Sequence, residues 1–230
     1  MKYGIEQPVY ERDEQVIAKT IRDKTREKIR LKNVKTCVFG IQGSGKTYIV
    51  ENHLLKSFKH PFVYRIHKED FVNTKSNVYV YDAVDTSLKE LEDTAKKIKI
   101  LGQQKKIDCF VLDEADLFLK SMVAISPKMT DLILNHRHYN LALIFITRRP
   151  QSIPTEIVET CENIICFKVE GENVERKLRA IHPDFQTLLP KLDKDKYNFI
   201  LKELGKAPRI YDKVERVSFS KKQEAIKPKQ

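Results

Sequence analysis

The eight residues GIQGSGKT, at positions 40–47, constrain the fold of this chain more than any other feature of its sequence. They satisfy the pattern G-x-x-x-x-G-K-[ST], in which glycines let the backbone curl so that successive N–H groups face phosphate oxygens. A β-rich run, VKTCVFG, leads into the loop, and a run with helical periodicity, KTYIVENHLLKSF, follows it. This order predicts a phosphate-binding loop between a strand and a helix, rather than an ordinary glycine-rich turn.

The loop assigns a role to each polar position. Lys46 is expected to reach the β- and γ-phosphates, and the hydroxyl of Thr47 is expected to bind Mg²⁺. The sequence therefore predicts ATP and Mg²⁺ as cofactors. The remaining nucleotide-binding positions are Gly40, Gln42, Gly43, Ser44 and Gly45.

A second element, which is acidic, is expected beside this loop. The run CFVLDE, residues 109–114, has four apolar residues followed by Asp113 and Glu114. Ligands bind at the carboxyl ends of strands in open α/β sheets, so Asp113 is expected to hold Mg²⁺ through water. Glu114 is expected to polarise the attacking water as a general base. The alternative is that both acids only cap the start of a helix.

The rest of the chain alternates between strand-like and helix-like runs, which predicts an α/β fold with a mostly parallel central sheet and helices on both faces. Residues 1–33 form a predicted basic helical extension, with a helix over residues 13–32. Residues 34–217 form the predicted catalytic domain, and residues 218–230 a disordered basic tail. A helix over residues 86–102 is expected to end at Gly102.

The block RHYNLALIFITRRP, residues 137–150, places cations on both sides of a buried strand. If this strand lies beside the acidic strand, Thr147 and Arg148 end near the γ-phosphate, where they could sense hydrolysis. Arg137 precedes the strand and is expected to reach the site of a neighbouring subunit, as an arginine finger. The alternatives are that Arg137 complements a helix C-terminus and that Arg148 is a surface cation.

The charge balance favours polyanionic partners. Of 230 residues, 43 are Lys or Arg and 32 are Asp or Glu, a formal net charge of +11. Such a surface attracts nucleic acid or an anionic membrane, although an ordinary basic protein has the same composition. No apolar stretch approaches the roughly 18 residues of a membrane helix, so no stable membrane insertion is expected. The four cysteines are expected to be buried free thiols.

Together, GIQGSGKT, VLDE, the Arg-His pair and the block ending in TRRP resemble the FtsK–HerA superfamily of DNA-pumping ATPases. Within it, the chain is similar to the genome-packaging ATPases of internal-membrane viruses with double-jelly-roll capsids and of poxviruses. The resemblance implies a P-loop NTPase fold of the RecA-like (ASCE) type. It also implies a homo-oligomeric ring, a hexamer or pentamer, that uses ATP to move double-stranded DNA into a preformed capsid.

The same resemblance implies a capsid or vertex protein as partner, and the host cytoplasm or the virion as location. The family usually has Gln after the strand's Thr, where this chain has Arg148, so Arg148 is either a sensor or a second finger. Residues 117–128 are a candidate pore-side loop or a plain surface connection. Two other functions fit these motifs: a Zot- or HerA-like ATPase for virion assembly or DNA transport, and a nucleotide-dependent switch with little turnover.

Overall fold

The protein is described here by a computed structural model that covers residues 27–120, 124–212, 214 and 217–220. The strands of this part of the chain are β1 (Glu27–Arg30), β2 (Lys35–Phe39), β3 (Pro61–Arg65), β4 (Tyr79–Asp82), β5 (Cys109–Leu112), β6 (Ala142–Thr147), β7 (Asn163–Cys166), β8 (Phe199–Glu203), β9 (Arg209–Tyr211) and β10 (Val217–Ser220). Eight of them form one sheet in the order β4-β3-β5-β6-β2-β7-β8-β9. The six strands from β4 to β7 are parallel, and β8 and β9 continue the sheet antiparallel.

Helical segments cover both faces of this sheet. The α-helices are Lys46–Ile49, Leu88–Gln103, Ala115–Phe118, Pro127–Asn135, Thr155–Glu159, Glu172–Ile181 and Phe185–Leu188. The first of them continues without a break through a π-helical turn, Val50–Leu54, and a 3₁₀ turn, Leu55–Ser57. The predicted α/β fold, with a mostly parallel sheet between two layers of helices, is confirmed.

Alternating side chains of the central strands belong to two hydrophobic layers, one on each face of the sheet. On β6, Leu143 and Phe145 face the layer that contains the long helix Leu88–Gln103, whereas Ile144 and Ile146 face the layer that contains the helix after the phosphate loop. All six residues of β6 are buried. A strand covered on both faces loses the polar alternation of a surface strand, which explains its continuous apolar run.

The position of β6 decides which residues meet. It lies between β2 and β5 in parallel register, with Thr147 opposite Phe39 and Phe145 opposite Leu112. Parallel strands end at the same edge of a sheet, so the segments that follow these three strands converge there. Gly40, Asp113 and Arg148 are the first residues of those segments.

The prediction of an N-terminal helix over residues 13–32 is wrong for the residues of that range that the structure describes. Residues 1–26 lie outside the described part of the chain, but Glu27–Arg30 is a strand that pairs in parallel with β10. Ile29 and Leu31 are buried while Arg30 is exposed, a two-residue period that belongs to a strand. The predicted disordered tail likewise begins too early, because Val217–Ser220 is β10. Residues 221–230 are outside the described part, and the division into domains stays a prediction.

Gly102 was predicted to end its helix, but it lies inside the helix. The helix runs from Leu88 to Gln103, capped at its start by Ser87, whose Oγ accepts a hydrogen bond from the Glu90 N–H. A Cβ on Gly102 would lie 2.6 Å from the carbonyl oxygen of Tyr139 and 2.7 Å from Cγ of Leu141. Glycine is needed there because the helix approaches the turn before β6 closely.

The four cysteines are free and buried, as predicted. Within the described ranges, no helix combines the length and apolar character needed to cross a bilayer.

Candidate functional site

Backbone hydrogen bonds hold the loop of residues 40–47 against the sheet edge. The N–H of Ile41 donates to the carbonyl oxygen of Lys168 at 2.8 Å, which ties the loop to the chain beyond β7. Inside the loop, the N–H of Ser44 donates to the carbonyl of Ile41 at 3.3 Å. The N–H of Ile49 donates to Gly45 at 3.0 Å and begins the helix. The strand, loop and helix predicted from the sequence are thus present as one unit.

Two glycines of this loop cannot be replaced without strain. Gly40 has a φ of 155°, and a Cβ there would lie 2.5 Å from Oγ of Ser44 and 2.8 Å from Cβ of Phe167. Gly45 has a φ of 102°, in the left-handed region that side chains rarely adopt. The curl that turns amides inward therefore depends on these positions.

Lys46 lies inside the loop rather than in solvent. It is 8% exposed, and its Nζ donates to the carbonyl oxygen of Ile41 at 2.9 Å. Burial lowers the pKa of Lys46, and the nearby carboxylates of Glu114 and Asp113 partly oppose that shift. The ammonium is therefore held at the tip of the loop, close to the acidic residues. Thr47, at the first turn of the helix, is partly buried, and Gln42 is exposed.

Asp113 is a buried acid with an unused oxygen. It is 3% exposed, and its Oδ2 has no hydrogen-bond partner within the part of the chain that the structure describes. Burial raises the pKa of Asp113 to about 7, and the negative charges of Asp70 and Glu114 add to the shift. A buried carboxylate with an unpartnered oxygen is suited to a cation, so the site fits Mg²⁺.

Glu114 has an unusual backbone conformation and a specific partner. Its φ of 46° and ψ of 48° are left-handed, which is uncommon for a residue with a side chain. One oxygen, Oε1, accepts hydrogen bonds from Nε of Arg148 at 3.1 Å and from Nη2 at 3.0 Å. The predicted base and the predicted sensor are thus paired with each other, a contact that the sequence analysis did not anticipate.

Thr147 lies at the same edge but is fully buried. Its Oγ1 accepts a hydrogen bond from the N–H of Arg149 at 3.2 Å. This contact fixes the turn that carries Arg148 toward Glu114. The sensor role of Thr147 stays a prediction.

Arg137 lies at the opposite, amino-terminal end of the parallel strands, shortly before β6 begins. The helix before it ends at Asn135, so Arg137 belongs to the following turn, and its guanidinium pairs with Glu162. The other oxygen of Glu162 accepts from the N–H of Lys35, at the start of β2. The six residues of β6 separate this edge from the phosphate loop by about 20 Å.

Arg137 therefore does not reach the phosphate loop of its own chain. This agrees with the expectation that it serves a neighbouring subunit instead. With 62% of its side chain exposed, it is accessible to another subunit. Its action as a finger in a neighbour's site stays a prediction. The candidate pore-side loop, residues 117–128, includes residues 121–123, which lie outside the described part of the chain.

Two residues that no sequence motif marks approach the phosphate loop from far along the chain. A Cβ built on Gly43 would lie 3.2 Å from Cε of Lys194, and one built on Gly45 would lie 3.3 Å from Cδ1 of Tyr197. Both side chains come from the turn between the last helical segment and β8. No local motif marks them, because they are about 150 residues away from the loop in sequence.

Comparison with known proteins identifies the family. Residues 36–169 match the model of the ATPase family associated with various cellular activities (AAA). The chain belongs to the AAA ATPase family. The match runs from β2 to the segment after β7, so it contains the phosphate loop and the acidic strand. This AAA protein is therefore an ATP-binding P-loop ATPase, as predicted.

Solved structures with the same fold include viral packaging enzymes. The genome packaging NTPase B204 from Sulfolobus turreted icosahedral virus 2, in complex with AMPPCP, has a TM-score of 0.67 and 18% identity, over 77% of this chain and 96% of B204. B204, the DNA-packaging ATPase from Sulfolobus turreted icosahedral virus, has a TM-score of 0.67 and 17% identity, over 79% of this chain and 98% of B204. The expected resemblance to viral genome-packaging ATPases is confirmed at the level of the fold. No curated protein sequence matches this chain.

Proposed function

We propose that this AAA ATPase is a motor that translocates double-stranded DNA into a preformed viral capsid. The observation that carries the proposal is the convergence of the phosphate loop, Asp113, Glu114 and Arg148 at one sheet edge, on the fold of a packaging NTPase. The alignment covers 96% of the B204 chain, so the likeness is not confined to one subdomain of it.

The buried acid and the loop hydroxyl are suited to a divalent cation. Asp113 and Thr47 would hold Mg²⁺, which neutralises phosphate charge when bound. Lys46 contacts the phosphates from the loop tip. Glu114 accepts the proton of the attacking water.

The ion pair between Arg148 and Glu114 couples nucleotide binding to this chemistry. While the guanidinium donates twice to Oε1 of Glu114, that oxygen is not available to a water molecule. The phosphate oxygens of ATP compete for the same guanidinium, because the planar fork of Arg can donate two hydrogen bonds to a phosphate as well as to a carboxylate. In this proposal, Arg148 turns to the phosphate and frees Glu114 when the nucleotide is in place.

The proposal requires a ring, because Arg137 lies about 20 Å from its own site. In a hexamer or pentamer, the exposed guanidinium of one subunit completes the site of the next. The capsid or vertex protein docks this ring at the place of DNA entry, in the host cytoplasm. The Arg137–Glu162 pair holds the cation at the amino-terminal edge until a neighbour is present.

The charge of +11 supports DNA as the substrate. Phosphate contacts by Lys and Arg grip a duplex without reading its sequence, and they release counterions. Binding of this kind weakens steeply as the salt concentration rises.

The test is the rate of ATP hydrolysis with and without long linear duplex DNA. We expect the duplex to increase the rate several-fold at about 50 mM salt, and the increase to fade toward about 300 mM. Short duplexes and single strands of the same total length serve as matched substrates, and Lys46→Ala as the inactive control. A rate that is indifferent to duplex DNA at every salt concentration removes the translocation proposal but leaves the ATPase.

A further inference from the structure

Two of the four free thiols lie side by side in the interior. Sγ of Cys37 and Sγ of Cys161 are 3.0 Å apart, and either thiol can donate a weak hydrogen bond to the other. Cys37 lies on β2, shortly before the phosphate loop. Cys161 lies between the helix Thr155–Glu159 and β7. ATP hydrolysis at residues 40–47 uses neither sulfur.

The packing around the two sulfurs holds them in this position. Cys37 is 0% exposed and Cys161 is 3% exposed, and both belong to the hydrophobic layer that contains the helix Leu88–Gln103. The N–H of Cys161 donates to the carbonyl of Val158 at 3.2 Å, and its Sγ donates to the carbonyl of Ile157 at 3.1 Å. The backbone of Cys37 is fixed by the ladders of β2 with β6 and β7. The two sulfurs therefore stay within reach of each other.

The other two cysteines are placed differently. Cys109 lies on β5 and belongs to the hydrophobic layer on the opposite face of the sheet. Cys166 lies at the end of β7, and its Sγ donates to the carbonyl of Phe167 at 3.3 Å. Cys109, which is as buried as Cys37, therefore provides a control thiol outside the pair.

A disulfide bond needs only a small movement of the two sulfurs. The bond is about 2.0 Å long, so each sulfur moves by about 0.5 Å from its place in the reduced protein. Small rotations about the side-chain bonds supply a movement of this size. The strand ladders of β2 can therefore stay in place when the bond forms.

We propose that Cys37 and Cys161 are a redox-sensitive pair, which forms a stabilising disulfide in oxidising surroundings and remains two thiols in reducing ones. In this step two S–H bonds break and one S–S bond forms, so the pair gives up two protons and two electrons. A soluble disulfide such as oxidised glutathione takes up both protons and both electrons, and becomes two thiols. The inference does not depend on the proposed function.

Burial determines when the bond can form. It raises the pKa of the Cys161 thiol well above its usual range, and the adjacent Cys37 adds to the shift. The thiolate is the species that attacks a disulfide, so exchange in the folded protein is slow. The bond therefore forms while the chain folds, before the two sulfurs are buried. A bond that has formed is shielded from reducing agents for the same reason.

The effect on stability is large because the two residues are distant in sequence. They are 124 positions apart. A cross-link that closes a loop of this length removes much conformational freedom from the unfolded chain and so favours the folded one. The cross-link also ties the strand that leads into the phosphate loop to the turn before β7.

The test is refolding of the full chain from guanidinium chloride at pH 8, either in a mixture of reduced and oxidised glutathione or in dithiothreitol alone. Free thiols are then alkylated in denaturant and counted from the mass of the intact protein. Linked peptides are identified by mass after proteolysis without reduction. Cys37→Ala removes one member of the pair, and Cys109→Ala is the matched control.

We expect the four thiols to be free after refolding in dithiothreitol, and Cys37 to be linked to Cys161 after refolding in glutathione. The linked protein should unfold at a Tm about 5–15 °C higher than the reduced protein. Cys109→Ala should keep this difference in Tm, and Cys37→Ala should lose it.

The proposal is overturned by any of three results: all four thiols stay free at every glutathione ratio, the linked peptide contains another cysteine, or the linked protein unfolds at the Tm of the reduced one. The thiol count and the peptide masses come from the unsubstituted protein. They therefore decide the matter even if Cys37→Ala does not fold.

Discussion

Replacing Asp113 by asparagine should make the metal-free protein more stable at pH 8 and at the same time inactive. Asp113 is buried with an unpaired oxygen, and burial raises its pKa from 3.8 to about 7. A carboxyl whose pKa is raised on folding weakens the fold as the pH rises from its unfolded value through its folded one. The ionised side chain is therefore a source of instability at pH 8 that Asp113→Asn removes.

The size of the expected change in the free energy of unfolding follows from the pKa shift of Asp113. A rise from 3.8 to about 7 corresponds to about 4 kcal/mol above pH 8, and to less than half of that at pH 5. The asparagine amide also needs a partner, which costs about 1–3 kcal/mol at any pH. That cost is the same at both pH values. It therefore cancels when the stability change at pH 5 is subtracted from the one at pH 8, which leaves about 2–3 kcal/mol.

The assay is thermal unfolding in EDTA at pH 8 and pH 5. For a chain of this size, about 2–3 kcal/mol corresponds to about 5–10 °C in Tm. We expect the change in Tm caused by Asp113→Asn to be more favourable at pH 8 than at pH 5 by that amount. Asp93→Asn, at a side chain that is 57% exposed, should shift Tm little at either pH. An equal change at both pH values for Asp113→Asn would refute the reasoning, since it would mean that folding does not raise the pKa of Asp113.

Three further predictions concern catalysis. Glu114→Gln should keep ATP binding but lower kcat by about 10²–10⁴, measured by phosphate release, and an unchanged kcat would favour a switch over an enzyme. Arg148→Ala should lower kcat about 10²-fold or more, whereas Arg148→Gln, which still donates a hydrogen bond, should recover part of that loss; equal rates for the two variants would contradict a phosphate contact. Mixing Arg137→Ala subunits with Lys46→Ala subunits should restore part of the activity if Arg137 acts in a neighbour's site, and no recovery at any ratio would count against the finger.

The parts of the site that the sequence predicted correctly are those with local causes. The glycines and Lys46 of residues 40–47 encode the loop within eight residues, because backbone curvature and phosphate contact are both local requirements. The continuous apolar runs before Asp113 and Arg148 identified strands buried on both faces. Parallel pairing then placed their ends together, so two strand assignments were sufficient to predict the acidic side of the site.

The parts that escaped prediction depend on contacts between distant segments. The strand β1 was mistaken for a helix because its partner, β10, is about 190 residues away in sequence. Gly102 was mistaken for a helix stop because its close neighbour, Leu141, belongs to another element. The pairing of Arg148 with Glu114 and the approach of Tyr197 to Gly45 are likewise tertiary contacts, which no spacing within either segment encodes.

The claim that ATP hydrolysis in the site of residues 40–47, 113 and 114 moves the protein along duplex DNA is tested most directly by displacement of a third DNA strand. A triplex-forming oligonucleotide is bound at increasing distances from the end of a linear duplex, and its release is followed after ATP is added. We predict release with a delay that grows with distance, and no release by Glu114→Gln. Steady ATP hydrolysis without release at any distance, or release by Glu114→Gln, would contradict the claim.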